Sequence, residues 1–172
     1  MRGRVIRLIV FSLLIMVASV GVVSASNTNY KSHLKGRNEL PARDTHAQGQ
    51  ATYKLSDDGS VLHYKLNVAN IENVVAAHIH LGGPTDNGPV VAFLYGLVPV
   101  APGGGRIDGV LAEGTITAAD LRGPLAGRPL SALMAEIDAG NTYTNVHTND
   151  GVAPTNTGPG DFPGGEVRGQ ID

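Results

Sequence analysis

The stretch VLHYKLNV, residues 61–68, alternates apolar and polar side chains through its length. Successive side chains of a strand point to opposite faces, so Leu62, Tyr64, Leu66 and Val68 turn one way and His63, Lys65 and Asn67 the other. A helical period of 3.6 would scatter both sets around the axis, so the segment reads as a half-buried strand. Upstream, QATYKLS (50–56) repeats the pattern with Ala51, Tyr53 and Leu55 on one face, and SDDGS supplies the hairpin between them. Downstream, VVAAHIHL (74–81) and PVVAFLY (89–95) flank the turn-rich GGPTDNG. After the loop VPVAPGGGRIDG come LAEGTIT (111–117), TYTNVHT (142–148) and GEVRGQI (165–171). Short strands at this spacing predict an all-β fold, an antiparallel Greek-key-like sandwich or barrel. Its expected core holds Leu62, Tyr64, Leu66, Val75, Ile79, Val167 and Ile171.

Two segments depart from the period of two. TAADLRG, opened by the capping residue Thr117, reads as one short helical turn. RPLSALMAEIDAG (128–140) puts Leu130, Leu133, Met134 and Ile137 on one helical face, with Gly140 to stop it. The Gly/Pro-rich run after TYTNVHT is a long loop of the kind that usually carries function.

With 172 residues, 42% of them hydrophobic, the chain fits one ordinary globular domain with no internal repeat. A formal net charge of −2 gives neither sign dominance, which argues against nucleic acid as a partner. Residues 1–25 read as a signal peptide: a basic start, MRGRVIR, an apolar run from Leu8 to Val23, and the small residues Ser24 and Ala25. That run is shorter than the roughly 20 residues of a membrane-spanning helix. Residues 26–33 are polar and read as a short tether, leaving 34–172 as the domain. The expected destination is secreted, periplasmic or at the cell surface, with no membrane association once the leader is removed. The chain has no cysteine, which excludes disulfides, thiolate metal sites and blue copper. Met134 is the single methionine after the leader, which excludes Met-rich copper carriage.

In VVAAHIHL one face carries Val75, Ala77, Ile79 and Leu81, and the other Val74, Ala76, His78 and His80. The first is the natural core face, so the two imidazoles project from the outer side of the sandwich. Their spacing of about 6.6 Å along a strand lets both reach one ion. Tyr143, Asn145 and His147 share a face by the same alternation, and Glu166, Arg168 and Gln170 lie opposite the inward Val167, Gly169 and Ile171. Three histidines and an arginine are therefore expected on one outer face beneath the Gly/Pro-rich loops. A His-x-His pair by itself is more often exposed than ligating. His33, His46 and His63 read as plain surface residues.

These motifs resemble a known family. HLKGRNELPARDTHAQGQATYKL, AAHIHLGGPTDNGPVVAFL, the TYTNVHT strand and the closing GGEVRGQI resemble the CHRD domain, named from chordin, from about Leu34 to Ile171. Pro41-Ala42-Arg43 stands where that family has a proline pair. The CHRD domain is in turn similar to the Cu/Zn superoxide dismutase sandwich. That likeness matches His78 and His80 to an outward His-x-His pair, His147 to a later copper ligand, and Arg168 to an anion-guiding arginine. The bridging histidine has no counterpart, since 82–146 contains no histidine, and a second-metal cluster and the disulfide are missing. The likeness therefore implies at most a mononuclear three-histidine site.

Three neutral imidazoles suit Zn(II), Cu(II) or Cu(I) alike, and the resemblance to the dismutase sandwich implies copper as the cofactor, with zinc as the alternative. Copper would permit redox chemistry with superoxide or another small anion. Zinc-bound water would permit hydrolysis, but Asp150 and Asp161 are weak candidates for its general base. The other functional class is a non-enzymatic cell-surface or extracellular module that binds a protein partner. Whether the chain is an enzyme stays open at this point.

Overall fold

The computed structural model describes residues 28–96 and 104–172. The leader, the first residues of the expected tether and most of the VPVAPGG stretch lie outside them. Eight strands form the frame: β1 (Asn29–Lys35), β2 (Gln48–Leu55), β3 (Leu62–Glu72), β4 (Val74–Leu81), β5 (Val90–Tyr95), β6 (Arg106–Ile116), β7 (Thr142–Thr148) and β8 (Val167–Gln170). They make one antiparallel sheet in the order β5-β4-β7-β8-β1-β2-β3-β6. The two ends of that order curl towards each other into a nearly closed barrel. The Tyr64 hydroxyl of β3 donates to the Leu94 carbonyl of β5 at 2.8 Å across the seam. That reach leaves Tyr64 half-buried, where full burial was expected.

Most strands follow the alternation. The core unites Leu34, Leu62, Leu66, Ile71, Ile79, Val91, Val146, Val167 and Ile171. One helix, α1 (Leu130–Asp138), lays Leu130, Leu133, Met134 and Ile137 against this core. Gly140, at φ 71°, supports the left-handed turn that ends it. Thr117 heads the expected short turn, Ala118–Asp120, in a reciprocal capping box with Asp120.

Three expectations change. Residues 29–33, read as tether, belong to β1: Tyr30, Ser32 and Leu34 point inward while Asn29, Lys31, His33 and Lys35 point out. Ser32 disguises the pattern, because its inward hydroxyl is satisfied by donating to the Gly169 carbonyl at 2.7 Å. Val75 is half-buried, and Val74 takes its place in the core. An irregularity in the β4–β7 pairing between Val74 and Ala76 adds a residue there, and one extra residue inverts the inside-outside order. Glu166, just before β8, and Arg168, on its outer face, are 0% and 1% exposed. Over β4, β7 and β8 that face is roofed by the segments at 36–47, 82–88 and 149–165.

Candidate metal centre

The antiparallel register sets the site. His78 lies opposite Asn145, His80 opposite Tyr143, Ala76 opposite His147, and Asn145 opposite Arg168. His78, His80 and His147 each offer one ring nitrogen, and these atoms all lie within 4.8 Å of one another. His78 and His80 are 7% and 8% exposed, outside the hydrophobic core and beneath the roof.

Their tautomers follow from their partners. A carbonyl can only accept, so His80 Nδ1 carries its proton to the Gly88 carbonyl at 2.8 Å, and His147 Nδ1 carries its proton to that of Pro163 at 2.8 Å. Both Nε2 atoms are therefore bare. His78 Nδ1 lies 3.0 Å from His147 Nε2 and donates to it, which leaves His78 Nε2 bare as well. The buried Nε2 atoms of His78 and His80 have no protein partner. An unpartnered lone pair in the interior costs about 1–3 kcal/mol unless something occupies it. Nδ1–H bonded to a carbonyl with Nε2 presented is the arrangement that orients metal-ligating histidines.

Burial holds all three rings neutral. It depresses His78 to about 3, with further lowering from His147 and His80. His80 and His147 are also lowered, chiefly by burial; the Gly88 carbonyl and the Asn145 side chain oppose this at His80, where His147 and Arg168 add to it, and the Pro163 carbonyl opposes it at His147. Neutral imidazole is the form that binds a metal. The all-nitrogen, neutral donor set fits a borderline ion such as copper or zinc.

The surroundings build a stack. The His80 ring lies parallel to Tyr143 (4.8 Å between centroids, 11° between planes), and the Arg168 guanidinium lies 3.4 Å from the centre of the Tyr143 ring. Arg168 donates to the Gly83 carbonyl (2.7 Å), the Asp86 carbonyl (2.8 Å) and Asn87 Oδ1 (3.0 Å), pinning the 82–88 loop. Gly88 can close that loop because it lacks a side chain: a Cβ there would stand 1.5 Å from the Leu81 carbonyl oxygen. Towards solvent, the Phe93 ring meets His78 edge-on at 4.7 Å and is itself 42% exposed.

Asp161 accepts from the Thr157 amide and hydroxyl, both at 2.9 Å, and Asp150 from the Val152 amide at 2.8 Å, so both shape the loop. Two residues of the surroundings escaped the sequence reading. Phe93 pairs with His78, which is visible only once β5 is known to lie beside β4. Glu39 is 3% exposed in the roof, and burial raises its carboxyl to about 7 despite Arg168 and Arg43.

Fold and site together define an antiparallel β-barrel with a buried three-histidine cluster on its roofed outer face. The chain belongs to the CHRD domain family, whose model matches residues 30–171. No curated protein matches the sequence.

Proposed function

We propose that this CHRD protein is exported and holds a single metal ion, copper in the first instance and zinc in the second, through His78, His80 and His147. The observation that carries the reading is the convergence of three ring nitrogens within 4.8 Å, with two buried Nε2 atoms lacking any protein partner. CHRD domains are extracellular-type modules, and no helix among the described residues is long and apolar enough to cross a membrane. The likeness of the CHRD domain to the dismutase sandwich supports copper over zinc.

Bound copper would supply one-electron redox chemistry, which makes dismutase-like turnover of superoxide the activity to assay. His80 and His147 orient their Nε2 atoms through their carbonyl bonds. Phe93 covers the His78 ring on the solvent side. Arg168 positions the 82–88 loop, and with it the carbonyl that sets the His80 tautomer. An anion approaching the site would meet the field of this buried cation, since its N–H groups are directed at the loop.

The test is metal titration of the mature protein, followed by superoxide consumption. The parent should retain one equivalent of copper. His147→Ala should weaken binding by orders of magnitude, and His63→Ala should leave it unchanged. Equal copper binding by parent and His147→Ala would remove the metal reading and leave the non-enzymatic extracellular module.

A further inference from the structure

All four lysines of the chain lie on one surface. Lys31 and Lys35 are outward residues of β1, Lys54 of β2 and Lys65 of β3, and all are exposed. His33 and His63 point the same way and are exposed too. The register tightens the cluster. Lys31 and Lys65 flank Thr52 in one cross-strand row, while Lys54 pairs with Asn29 on one side and His63 on the other. Lys54 is therefore the diagonal neighbour of both Lys31 and Lys65, roughly 7–8 Å from each. A depression of about 820 Å³ runs over three of the lysines, lined by Lys31, Thr52, Lys54, His63, Lys65 and Asp172 among others, while His33 and Lys35 lie beyond it.

The concentration stands out in a chain of net charge −2. Three arginines serve internal bonds, Arg43 to the Gly165 carbonyl, Arg122 to those of Ala119 and Leu121, and Arg168 to the 82–88 loop, and Arg106 is paired with Asp108. Among the described residues, Lys65 is the one lysine in an ion pair, with Glu113 at 3.5 Å on an exposed edge. Asp172 at the rim and Glu113 beside Lys65 offset part of this charge, but Lys31 and Lys54 have no ion-pair partner among the described residues, so an anion seated between them is favoured.

We propose that this face binds an acidic polysaccharide, with carboxylate groups on the lysines and a sugar hydroxyl on Thr52. Tyr30, Tyr53 and Tyr64 also line the depression, but Tyr30 and Tyr53 are buried and Tyr64 reaches across the barrel seam, so its exposed side chains include no large apolar one. Phe93, Val110 and Val152, the exposed large hydrophobics, are not among its lining residues. That argues against a lipid surface, which needs apolar insertion, and against a protein partner, which needs aromatic anchors. Single-stranded nucleic acid would want exposed stacking rings. The proposal does not depend on the metal site.

The experiment is titration of the mature protein with polygalacturonate oligosaccharides at low and moderate salt. The parent should bind at about 50 mM salt and weaken steeply as salt rises, as polyelectrolyte contacts do. The triple variant Lys31→Gln, Lys54→Gln, Lys65→Gln should bind at least tenfold more weakly, with a shallower salt dependence and unchanged copper stoichiometry. Arg128→Gln should bind like the parent, and neutral dextran oligosaccharides should not bind. The proposal fails if the parent ignores polygalacturonate, if the triple variant binds it equally well, or if anionic vesicles or single-stranded DNA bind more tightly.

Discussion

His80 is held from two directions, by the Gly88 carbonyl on Nδ1 and by the Tyr143 ring across its face, and Arg168 stands behind both. Arg168→Lys keeps the charge but loses the planar fork that binds three loop acceptors and stacks on the ring. We expect that variant to fold, with an unchanged far-UV spectrum, and to bind copper about 10–100-fold more weakly with an altered Cu(II) spectrum. An unchanged spectrum and affinity would disprove the positioning role. Glu39 gives a pH prediction. Burial raises its carboxyl from 4.5 to about 7, so between those values the folded chain keeps a proton that the unfolded chain has released. The associated stability is complete below about pH 4.5 and is lost as pH rises through 7. At about 1.4 kcal/mol per unit, the change is at most about 3.5 kcal/mol. Urea midpoints at pH 5 and pH 8 should show Glu39→Gln gaining on the parent at the higher pH. A gap that does not change with pH would refute it.

At the scale of elements, the helix and the roof differ in what holds them. α1 is held by apolar burial, with Leu133 at 0% exposure in the core. Leu133→Ala should lower unfolding free energy by about 2–5 kcal/mol, measured by chemical denaturation, and leave the metal site intact. A cost below about 1 kcal/mol would mean that the helix contributes little to the core. The roof is held by polar groups: Glu166 accepts from the Thr45 hydroxyl (2.6 Å), the Thr148 hydroxyl (2.7 Å) and the Gly160 amide (3.0 Å). One buried carboxylate thus joins the 36–47 and 149–165 segments to β7. β4 and β7 occupy the ranges read from the sequence, 74–81 and 142–148, because their alternation is bounded by turn residues. β6 begins at Arg106, inside a stretch read as loop, because its partner β3 continues to Glu72 and pairs with it.

Over the whole molecule, site and fold are thermodynamically linked. An ion held by the three converged histidines would prefer the folded chain, since unfolding separates His147 from the His78–His80 pair. Copper at about 100 times its dissociation constant should add about 2.7 kcal/mol and raise the melting temperature by several degrees. A melting curve that ignores copper, while His147→Ala behaves identically, would count against a site built by the fold.

The local pattern of residues determined the all-β class, the helix face and the sharing of one face by His78 and His80, because side-chain period is a property of the chain alone. It also carried the motifs that mark the CHRD family. The tertiary structure decided what alternation cannot express. The β4 irregularity exchanged Val75 for Val74, since a bulge is a matter of pairing with β7. The outward histidines, Glu166 and Arg168 became buried because roof segments distant in sequence close over them. The register across β4, β7 and β8 brought His147 to the His78–His80 pair, and strand order is settled by which faces can be covered at once, which no single segment contains.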